Sequence, residues 1–428
     1  MRFKMEQDRR GQKCAGLRDF SLRAGLAACV LFFSALALFT PPQSAQQPQA
    51  ATAPAQSSKV SRFPMELNGN HVLLQGRVNG SGPLWFTLDT GAAASVINMR
   101  RAREMGLPLT ETGRAQGAGG SAETARLSGI NFGLEGVEIK NLNVMAIALD
   151  SIEATAGRSM DVIIGSELFH RYVVEVDYET RFITLYDPKQ FVYNGNGESL
   201  PLKFDQNHPY VTAKIVIPGL EPIEDDFVID AGSGFGLTFN PAFVQERKLV
   251  EHVPNTVQTK ARGVGGEFPL TIGRIESLSL GRFKLERPTA AFPQTGGFIS
   301  KKGSAGNIGG LILRRFKVIF DYSHKRMILE PNKSFNDPFE FDKTGLALVT
   351  DVPQFKTIKV IRVMENSPAA EAGLKAEDVI LEVEGRAASE YTLHTLREMF
   401  KKEGKTFALK VRRGSETLEV KLTTRRLI

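Results

Sequence analysis

Residues 84–92 read Leu-Trp-Phe-Thr-Leu-Asp-Thr-Gly-Ala, an apolar strand pattern that delivers Asp89 into a glycine-containing turn. Residues 226–233 read Asp-Phe-Val-Ile-Asp-Ala-Gly-Ser and place Asp230 at the corresponding point. A lone Asp-x-Gly predicts only a turn, because Asp bonds its own backbone and Gly accepts positive φ. Two copies in similar surroundings instead indicate two carboxylates that face each other.

The surroundings of the two Asp residues repeat in one order. Before each Asp comes a His and an alternating strand pattern. After it come a Gly-rich tip, a segment closed by Gly, and an Asp-Tyr pair between two strand patterns. The sequence therefore predicts two similar halves. The repeated features, first half before second, are His71 and His208, residues 117–120 and 263–266, Gly165 and Gly309, and Asp177-Tyr178 and Asp321-Tyr322.

Each half resembles a lobe of the retropepsin-like aspartic proteases, and the halves together resemble a pepsin-type pair of lobes in one chain. The resemblance spans about residues 62–333. It rests on Asp-Thr-Gly-Ala after an apolar strand and on the later apolar segment closed by Gly. It implies a mainly β fold of two acid-protease β lobes related by pseudo-twofold symmetry, with Asp89 and Asp230 as the catalytic pair.

The resemblance also implies supporting residues. In that family the strand that ends in the later Gly passes under the Asp turn and braces it. The Gly-rich tips are expected at flap-like hairpins that cover substrate, with an ordinary hairpin tip as the alternative. The expected supporting residues are Thr90, Gly91, Gly232, Ser233, Gly165 and Gly309, and the expected flap residues are Gly117, Gly119, Gly120, Gly263, Gly265 and Gly266.

Such a pair has a defined chemistry. Two carboxylates about 3 Å apart cannot both ionise, so they share one proton, as in aspartic proteases generally. The ionised partner activates water as a general base. The protonated partner polarises the scissile carbonyl and helps to protonate the leaving amine. This mechanism needs no metal, no cofactor and no covalent enzyme intermediate.

Two positions depart from the family pattern. The Thr after each Asp commonly makes a hydrogen bond between the lobes, and Ala231 has no hydroxyl to do so. Ser233 can hydrogen-bond a carboxylate, whereas the corresponding Ala92 cannot. Ala231 and the absence of a Tyr at the Gly-rich tips favour an alternative, a weak or inactive protease-like scaffold that binds peptides. The two intact Asp residues favour the enzyme.

The N-terminal segment has a separate role. Residues 1–45 carry basic residues and then a mostly apolar run, which predicts a secretory signal or a membrane anchor. Residues 46–61 predict a disordered linker. We therefore expect an exported protein, periplasmic or secreted, that meets a membrane only through this segment. Residues 1–45 contain seven Lys or Arg and three Asp or Glu, so they carry +4 of the net charge of +7, which gives little support to nucleic-acid binding.

Residues 340–428 mix strand and helix patterns, unlike the preceding halves, and resemble the PDZ domains attached to bacterial proteases. The stretch from Ser367 to Gly385 has a short capped helix, Gly-Leu, and Asp-x-Ile entering a strand. The resemblance implies a groove that binds peptide C-termini, flanked by a helix at residues 393–402. A groove that binds nothing is the alternative. The expected carboxylate-binding residues are Gly345, Leu346, Ala347 and Leu348.

Other chemistries find little support in the sequence. The six histidines lack zinc-site spacing, and no Gly-x-Ser-x-Gly motif is present. Both cysteines, Cys14 and Cys29, lie in the N-terminal segment, so the rest of the chain has no disulfide framework. The prediction is an exported, monomeric aspartic endopeptidase that acts on polypeptides. Its two lobes occupy residues 62–195 and 196–335.

Overall fold

The computed structural model describes residues 58–117, 119–295 and 304–428. The predicted signal or anchor, and most of the predicted linker, lie outside these residues. None of the helices in the described ranges has the length and apolar character needed to cross a bilayer.

Lobe 1 is built almost wholly from strands, as its Val-, Ile- and Phe-rich segments predict. Its sheet has the strand order β2-β3-β4-β9-β5-β8-β7-β6. The elements of the first half are β1 (Lys59–Pro64), β2 (Glu66–Asn68), β3 (His71–Val78), β4 (Leu84–Leu88), β5 (Val96–Asn98), α1 (Met99–Glu104), β6 (Thr110–Gly117), β7 (Gly120–Leu134), β8 (Val137–Ile147), α2 (Asp150–Ala156), β9 (Val162–Ile164), α3 (Ser166–Phe169), β10 (Val173–Asp177) and β11 (Phe182–Tyr186).

Lobe 2 repeats this arrangement. The strands β13-β14-β15-β22-β16-β21-β18-β17 follow one another in the same spatial order as the strands of lobe 1, and β19 and β20 extend the sheet beyond β14. The elements are β12 (Glu198–Pro201), β13 (Lys203–Asp205), β14 (His208–Val216), β15 (Ile223–Asp230), β16 (Leu237–Phe239), α4 (Pro241–Glu246), a 3-10 helix (Leu249–His252), β17 (Val257–Gly263), β18 (Gly266–Arg274), β19 (Ser277–Leu280), β20 (Phe283–Glu286), β21 (Thr289–Pro293), β22 (Gly306–Gly309), α5 (Gly310–Leu313), β23 (Phe316–Asp321) and β24 (Arg326–Pro331).

A third sheet joins the two lobes. It has six strands in the order β1-β11-β10-β23-β24-β12, so β10 of lobe 1 pairs directly with β23 of lobe 2. The hairpins at its centre are those predicted around the two Asp-Tyr pairs. Residues from both lobes form one continuous apolar core that includes Phe86, Phe169, Phe227 and Phe320. The lobes are therefore fixed to each other by backbone pairing as well as by packing.

A short helix follows the Asp turn in each lobe. Asn98 caps α1 by accepting a hydrogen bond from the Arg100 N–H, and Asn240 caps α4 by accepting one from the Ala242 N–H. Pro241 at the first position of α4 favours the same start. Each helix lies on its own lobe at the same point in the strand order.

The last part of the chain forms a separate sheet around its own core, in the order β25-β26-β27-β29-β30. The strand β25 is at the edge of this sheet, and α7 lies beside it. The elements are β25 (Leu346–Thr350), β26 (Ile358–Val363), α6 (Pro368–Glu371), β27 (Val379–Val383), β28 (Arg386–Ala387), a 3-10 helix (Ala388–Glu390), α7 (Leu393–Met399), β29 (Thr406–Arg413) and β30 (Glu416–Thr423).

This architecture confirms the predicted mainly β class, with two acid-protease lobes and a PDZ domain. One boundary differs from prediction. Strand β1 begins at Lys59, inside the predicted disordered linker, because it pairs with β11. The segment before the PDZ domain is held in place by the buried Arg315, which donates hydrogen bonds to the carbonyls of Ser334, Phe335, Asp337 and Pro338. The Arg315 guanidinium also stacks on Phe339.

Candidate active site

The two aspartates occupy matching positions at the ends of parallel strands. Asp89 follows β4, which runs parallel to β9, and its N–H donates to the Ile164 carbonyl at 3.0 Å. Asp230 ends β15, which runs parallel to β22 and places it opposite Gly309. Buried parallel strands hold both turns from below, so each carboxylate projects from a rigid support.

The structure brings the two carboxylates together across the lobe boundary. A Cβ added to Gly91 would lie 2.8 Å from the Cγ of Asp230. A Cβ added to Gly232 would lie 2.2 Å from the Cγ of Asp89. Each carboxylate therefore rests against the glycine of the opposite turn, where any side chain would collide with it. The requirement for Gly after each Asp-x is thus steric.

Burial and proximity perturb both acids. Burial raises the pKa of Asp89 well above its ordinary range, and the charge of Asp230 and a hydrogen bond with it add to the rise. Burial also raises the pKa of Asp230, but a hydrogen bond from Asn307 opposes that rise. Two such acids close together hold a proton between them at pH values where isolated carboxylates are ionised.

Thr90 connects the two catalytic turns. Its hydroxyl donates to the Ile229 carbonyl at 2.6 Å and accepts from the Ala231 N–H at 2.9 Å. Both Thr90 and Ala231 are buried. The methyl group of Ala231 can neither donate nor accept a hydrogen bond, so Thr90 alone makes the link, as the sequence predicts. Ser233 contacts the Asp230 carboxylate through its backbone N–H.

Gly165 and Gly309 lie under the two turns. A Cβ on Gly165 would approach the Ala92 carbonyl oxygen to 2.6 Å, and one on Gly309 would approach the Phe235 carbonyl oxygen to 2.2 Å. Backbone hydrogen bonds join the same segments. The Ser166 N–H donates to the Ala92 carbonyl at 3.1 Å, and the Gly310 N–H donates to the Ser233 carbonyl at 2.8 Å. The bracing position that the resemblance implies is where the structure places both glycines.

The two Gly-rich tips meet each other. They join β6 to β7 and β17 to β18, and the Gly119 N–H donates to the Val264 carbonyl at 2.9 Å. The Val264 side chain packs against a lobe 1 cluster that contains Ala122, Ile147 and Leu149. The other predicted flap residues, Gly117, Gly120, Gly263, Gly265 and Gly266, lie in the same pair of hairpins, whereas Ala118 is outside the described residues.

Two asparagine-histidine turns, which the sequence motifs did not single out, connect the lobes near the Asp residues. Asn70 donates through Nδ2 to the Gly234 carbonyl at 2.6 Å, and Asn207 donates to the Ala93 carbonyl at 3.4 Å. Each turn thus reaches the catalytic turn of the other lobe. The repeated Asn-His at residues 70–71 and 207–208 was a usable signal.

His71 brings a titratable ring to this boundary. Its Nδ1 lies 3.3 Å from the Asn68 carbonyl oxygen, and a Cβ on Gly234 would be 2.8 Å from its Cε1. Burial lowers the pKa of His71, while the Asn68 carbonyl and the charge of Asp230 oppose that shift.

Asn307 is a further residue near Asp230 that the sequence motifs did not single out. It precedes Ile308 and Gly309 in β22, and its Nδ2 donates to Asp230 Oδ2 at 2.6 Å. The signal was its polarity, since the first half has the apolar Ile163 at this point. The described residues contain no cluster of three or more His, Cys, Asp or Glu side chains arranged to hold a metal ion.

The predicted carboxylate-binding loop of the PDZ domain is closed by its own side chains. The N–H groups of Thr344 and Gly345 donate to the Asp342 carboxylate at 3.1 and 2.6 Å. The Leu346 N–H donates to the Thr344 hydroxyl at 3.1 Å. Ala347 and Leu348 lie in β25. An Asp turn thus takes the donors expected for a peptide C-terminus, and peptide binding by these four residues stays a prediction.

Comparison with known proteins assigns a class to each part. Residues 74–168, which include Asp89 and Gly165, match the aspartyl protease family. Residues 336–424 match the PDZ domain family. The chain thus carries an aspartyl protease domain in its first lobe and a C-terminal PDZ domain.

Two individual proteins are similar to parts of the chain. A probable CtpA-like serine protease of Staphylococcus haemolyticus (strain JCSC1435) is 30% identical over 124 residues, which cover 28% of this chain and 25% of that protein. The chain therefore matches about a quarter of that relative's length. The HtrA3 PDZ domain, solved with a phage-derived ligand, is 27% identical, covers 19% of this chain and 84% of its own, and has a TM-score of 0.18.

Proposed function

We propose that this protein is an aspartic endopeptidase that hydrolyses peptide bonds at Asp89 and Asp230. The reciprocal placement of each carboxylate against the glycine of the opposite turn carries the proposal. Loops from unrelated parts of a chain rarely bring two carboxylates so close. Here two copies of one strand-turn unit do so, and the lobes that bear them are joined by a common sheet.

The chemistry follows from one shared proton. A water molecule bound between the acids loses a proton to the ionised carboxylate as its oxygen attacks the scissile carbonyl. The protonated carboxylate donates to the carbonyl oxygen and stabilises the charge that develops there. Collapse of the tetrahedral intermediate breaks the C–N bond, and the amine leaves with a proton from the pair. The products are a carboxylic acid and an amine.

A polypeptide is the substrate that this site fits. The two aspartates lie at the boundary between two β lobes, and an extended chain bound there can form strand-like backbone hydrogen bonds with both lobes. We test the function with a mixed-peptide digest from acidic to neutral pH, with Asp89→Ala as the control. Cleavage by the parent that is lost in the variant supports the proposal. Equal cleavage by both, or none by the parent at any pH, contradicts it.

Two observations favour other functions, and both can be tested. One relative is named a serine protease, and inhibitors distinguish serine from aspartic proteases. If this protein is an aspartic protease, a statine-type inhibitor should block cleavage and a fluorophosphonate should not. The one-sided link at Ala231 favours a peptide-binding scaffold instead. If the protein is a peptide-binding scaffold, peptides should bind the parent and Asp89→Ala equally and neither protein should cut them. If it is an enzyme, the parent should cleave peptides faster than Asp89→Ala.

We propose that the enzyme is exported, because residues 1–45 have the pattern of a signal or anchor, and monomeric, because one chain supplies both aspartates. Fusion of this segment to a reporter active only outside the cytoplasm tests export, with the same reporter lacking the segment as control. Light scattering tests the monomer. A cytoplasmic reporter, or a dimer, would overturn the corresponding part of the proposal.

The PDZ domain contacts lobe 1 along the groove that we expected for a peptide. Arg397 of α7 donates to the Leu348 carbonyl of β25 at 2.8 Å and to the Thr155 carbonyl of α2 at 2.7 Å. The Thr350 hydroxyl donates to the Ala154 carbonyl at 3.3 Å. A peptide that extended the edge of β25 would compete with these contacts.

The same domain contacts the hairpin β17–β18 of lobe 2. Arg362 lies 3.3 Å from the Glu267 carboxylate, near the tip of the hairpin. Ile428 packs with Phe268, Leu270 and Ile272 of β18. We propose that the PDZ domain restrains this hairpin and that peptide binding at β25 loosens the restraint. A peptide with a free C-terminus should then increase the rate, and its C-terminal amide should not. Equal effects of the two peptides would contradict the proposal.

A further inference from the structure

The two halves of the candidate site also differ at one position in the strands β9 and β22, which pair beside the Asp turns. In lobe 1, β9 pairs with β4 so that Ile163 lies beside Thr87, two residues before Asp89. In lobe 2, β22 pairs with β15 so that Asn307 lies beside Val228, two residues before Asp230. Asn307 and Ile163 are therefore equivalent by strand register, and only Asn307 has a polar side chain.

The Asn307 amide is aimed at the dyad. Its side chain is only 5% exposed, and its Nδ2 donates to Asp230 Oδ2 at 2.6 Å. Its Oδ1 is buried and has no hydrogen-bond partner among the described residues. With the amide reversed, its oxygen could face Asp230 only by accepting the O–H of a protonated carboxyl, so the observed orientation, with the N–H toward the carboxylate, matches an ionised Asp230. A buried amide with one unpaired oxygen costs stability, which suggests that the bond to Asp230 is the reason for its presence.

The remaining donors do not offset this asymmetry. Asp89 receives backbone N–H groups of its own turn, from Gly91 and Ala92. Asp230 receives the corresponding groups from Gly232 and Ser233, and it has the Asn307 amide in addition. A donor stabilises the ionised form of the carboxylate that it contacts. The pair is therefore biased toward a charge on Asp230.

We propose that Asn307 is a positioning residue that keeps Asp230 ionised and leaves the shared proton on Asp89. Asp230 is then the general base that activates water, and Asp89 is the general acid that donates to the carbonyl and the leaving amine. This assignment rests on the proposed aspartic protease function and adds direction to it. No proton is gained or lost by the pair as a whole.

Other titratable groups face the dyad and act on the same equilibrium. The charge of His71 lowers the pKa of Asp230, and the His71 ring is itself influenced by Arg397. Tyr322 interacts with Asp89, and burial keeps the pKa of its phenol well above the ordinary value. Tyr322 therefore stays neutral. His71 acts through its charge, and salt screens this buried interaction only weakly, whereas Asn307 acts through a direct hydrogen bond.

The test is the pH profile of kcat/KM for a peptide that the parent cleaves. Asn307→Ile, which copies lobe 1, should move the acidic limb up by about one to two pH units, because Asp230 loses a charge-assisted hydrogen bond. The comparison is repeated in a His71→Gln background, where the charge of His71 is absent. An acidic limb that coincides with that of the parent would overturn the proposal. A merely structural role would lower the melting temperature and leave that limb in place.

A second variant guards against misfolding of the first. The double variant Ile163→Asn/Asn307→Ile moves the amide to Asp89 and should restore the parental acidic limb, with the roles of the two acids exchanged. An acidic limb that stays shifted in the double variant would count against the proposal. Failure of the proposed function itself has a different signature, since the parent would then show no cleavage that depends on Asp89 and Asp230.

Discussion

A single hydroxyl joins the two Asp turns. Thr90 satisfies both the Ile229 carbonyl and the Ala231 N–H, and all three groups are buried. Replacement by an isosteric methyl leaves one donor and one acceptor unpaired, which costs far more than the bonds contribute in water. Ala231 makes the dependence on Thr90 stronger, because lobe 2 offers no hydroxyl in return.

We therefore predict that Thr90→Val lowers the free energy of unfolding by about 2 kcal/mol and reduces cleavage. Thr90→Ser keeps the hydroxyl and should retain most of both. Urea denaturation of the three proteins measures the difference. A Thr90→Val protein as stable as Thr90→Ser would show that the link between the lobes does not depend on this hydroxyl.

The dyad itself makes stability depend on pH. Asp89 has a raised pKa in the folded protein, against an ordinary value of 3.8. Such a group destabilises the fold above its folded pKa, and the penalty disappears as the pH falls below the unfolded pKa. Asp89→Asn removes both the buried charge and the repulsion of Asp230.

We expect Asp89→Asn to melt at a higher temperature than the parent at neutral pH. The gain should vanish as the pH falls below about 4, where both carboxyls are protonated in either state. Differential scanning fluorimetry of the two proteins across this range measures it. A gain that is independent of pH would mean that the Asp89 carboxylate carries no electrostatic strain.

At the scale of elements, the two hairpin tips work as a pair. Gly265 has a φ of +92°, and a Cβ there would lie 2.0 Å from the Gly120 carbonyl oxygen of the opposite tip. Substitution must push the tips apart. Gly80 also has a positive φ of +74°, but a Cβ there would have no heavy atom within 4 Å. It therefore controls for backbone strain alone.

We predict that Gly265→Ala raises KM severalfold, because the tips can no longer close together over a substrate. Gly80→Ala should leave KM within the error of the parent. Steady-state kinetics with one peptide substrate distinguishes the two variants. Equal KM values for Gly265→Ala and the parent would show that tip contact has no part in substrate binding.

The elements also show what the sequence could predict. The strand periodicity and the repeated Asp-x-Gly predicted the two lobes and the hairpins at the two Asp-Tyr pairs. These depend on local patterns. Asn307, Asn70 and His71 were missed because their roles depend on which strands become neighbours and on contacts that cross the lobe boundary. Asp342 was missed because it lies just outside the loop that the resemblance singled out.

At the scale of the whole molecule, the PDZ domain touches both lobes. Its contact with the hairpin β17–β18 includes Arg362, whose guanidinium meets Glu267, and Glu267 also pairs with Arg262 of the same hairpin. A contact that restrains one tip should influence opening of the cleft. The coupling thus predicts an effect on activity from a residue in a different domain from the dyad.

We expect Arg362→Gln to increase the rate of peptide cleavage severalfold, because the hairpin is less restrained. Arg386 pairs with Glu390 on the PDZ domain, with both side chains exposed, so Arg386→Gln is a matched control that should change nothing. Initial rates at low substrate concentration are the measurement. A rate for Arg362→Gln equal to that of the control would separate the PDZ domain from control of the hairpin.

We propose that Asp89 and Asp230, one from each lobe, act together as a single catalytic unit. The most direct test is kcat/KM for the parent, Asp89→Asn, Asp230→Asn and the double variant on one peptide. Groups that act together are not additive, so each single variant should lose about 10³-fold or more and the double variant little further. Losses that multiply in the double variant, or a single variant that keeps the parental rate, would contradict the claim.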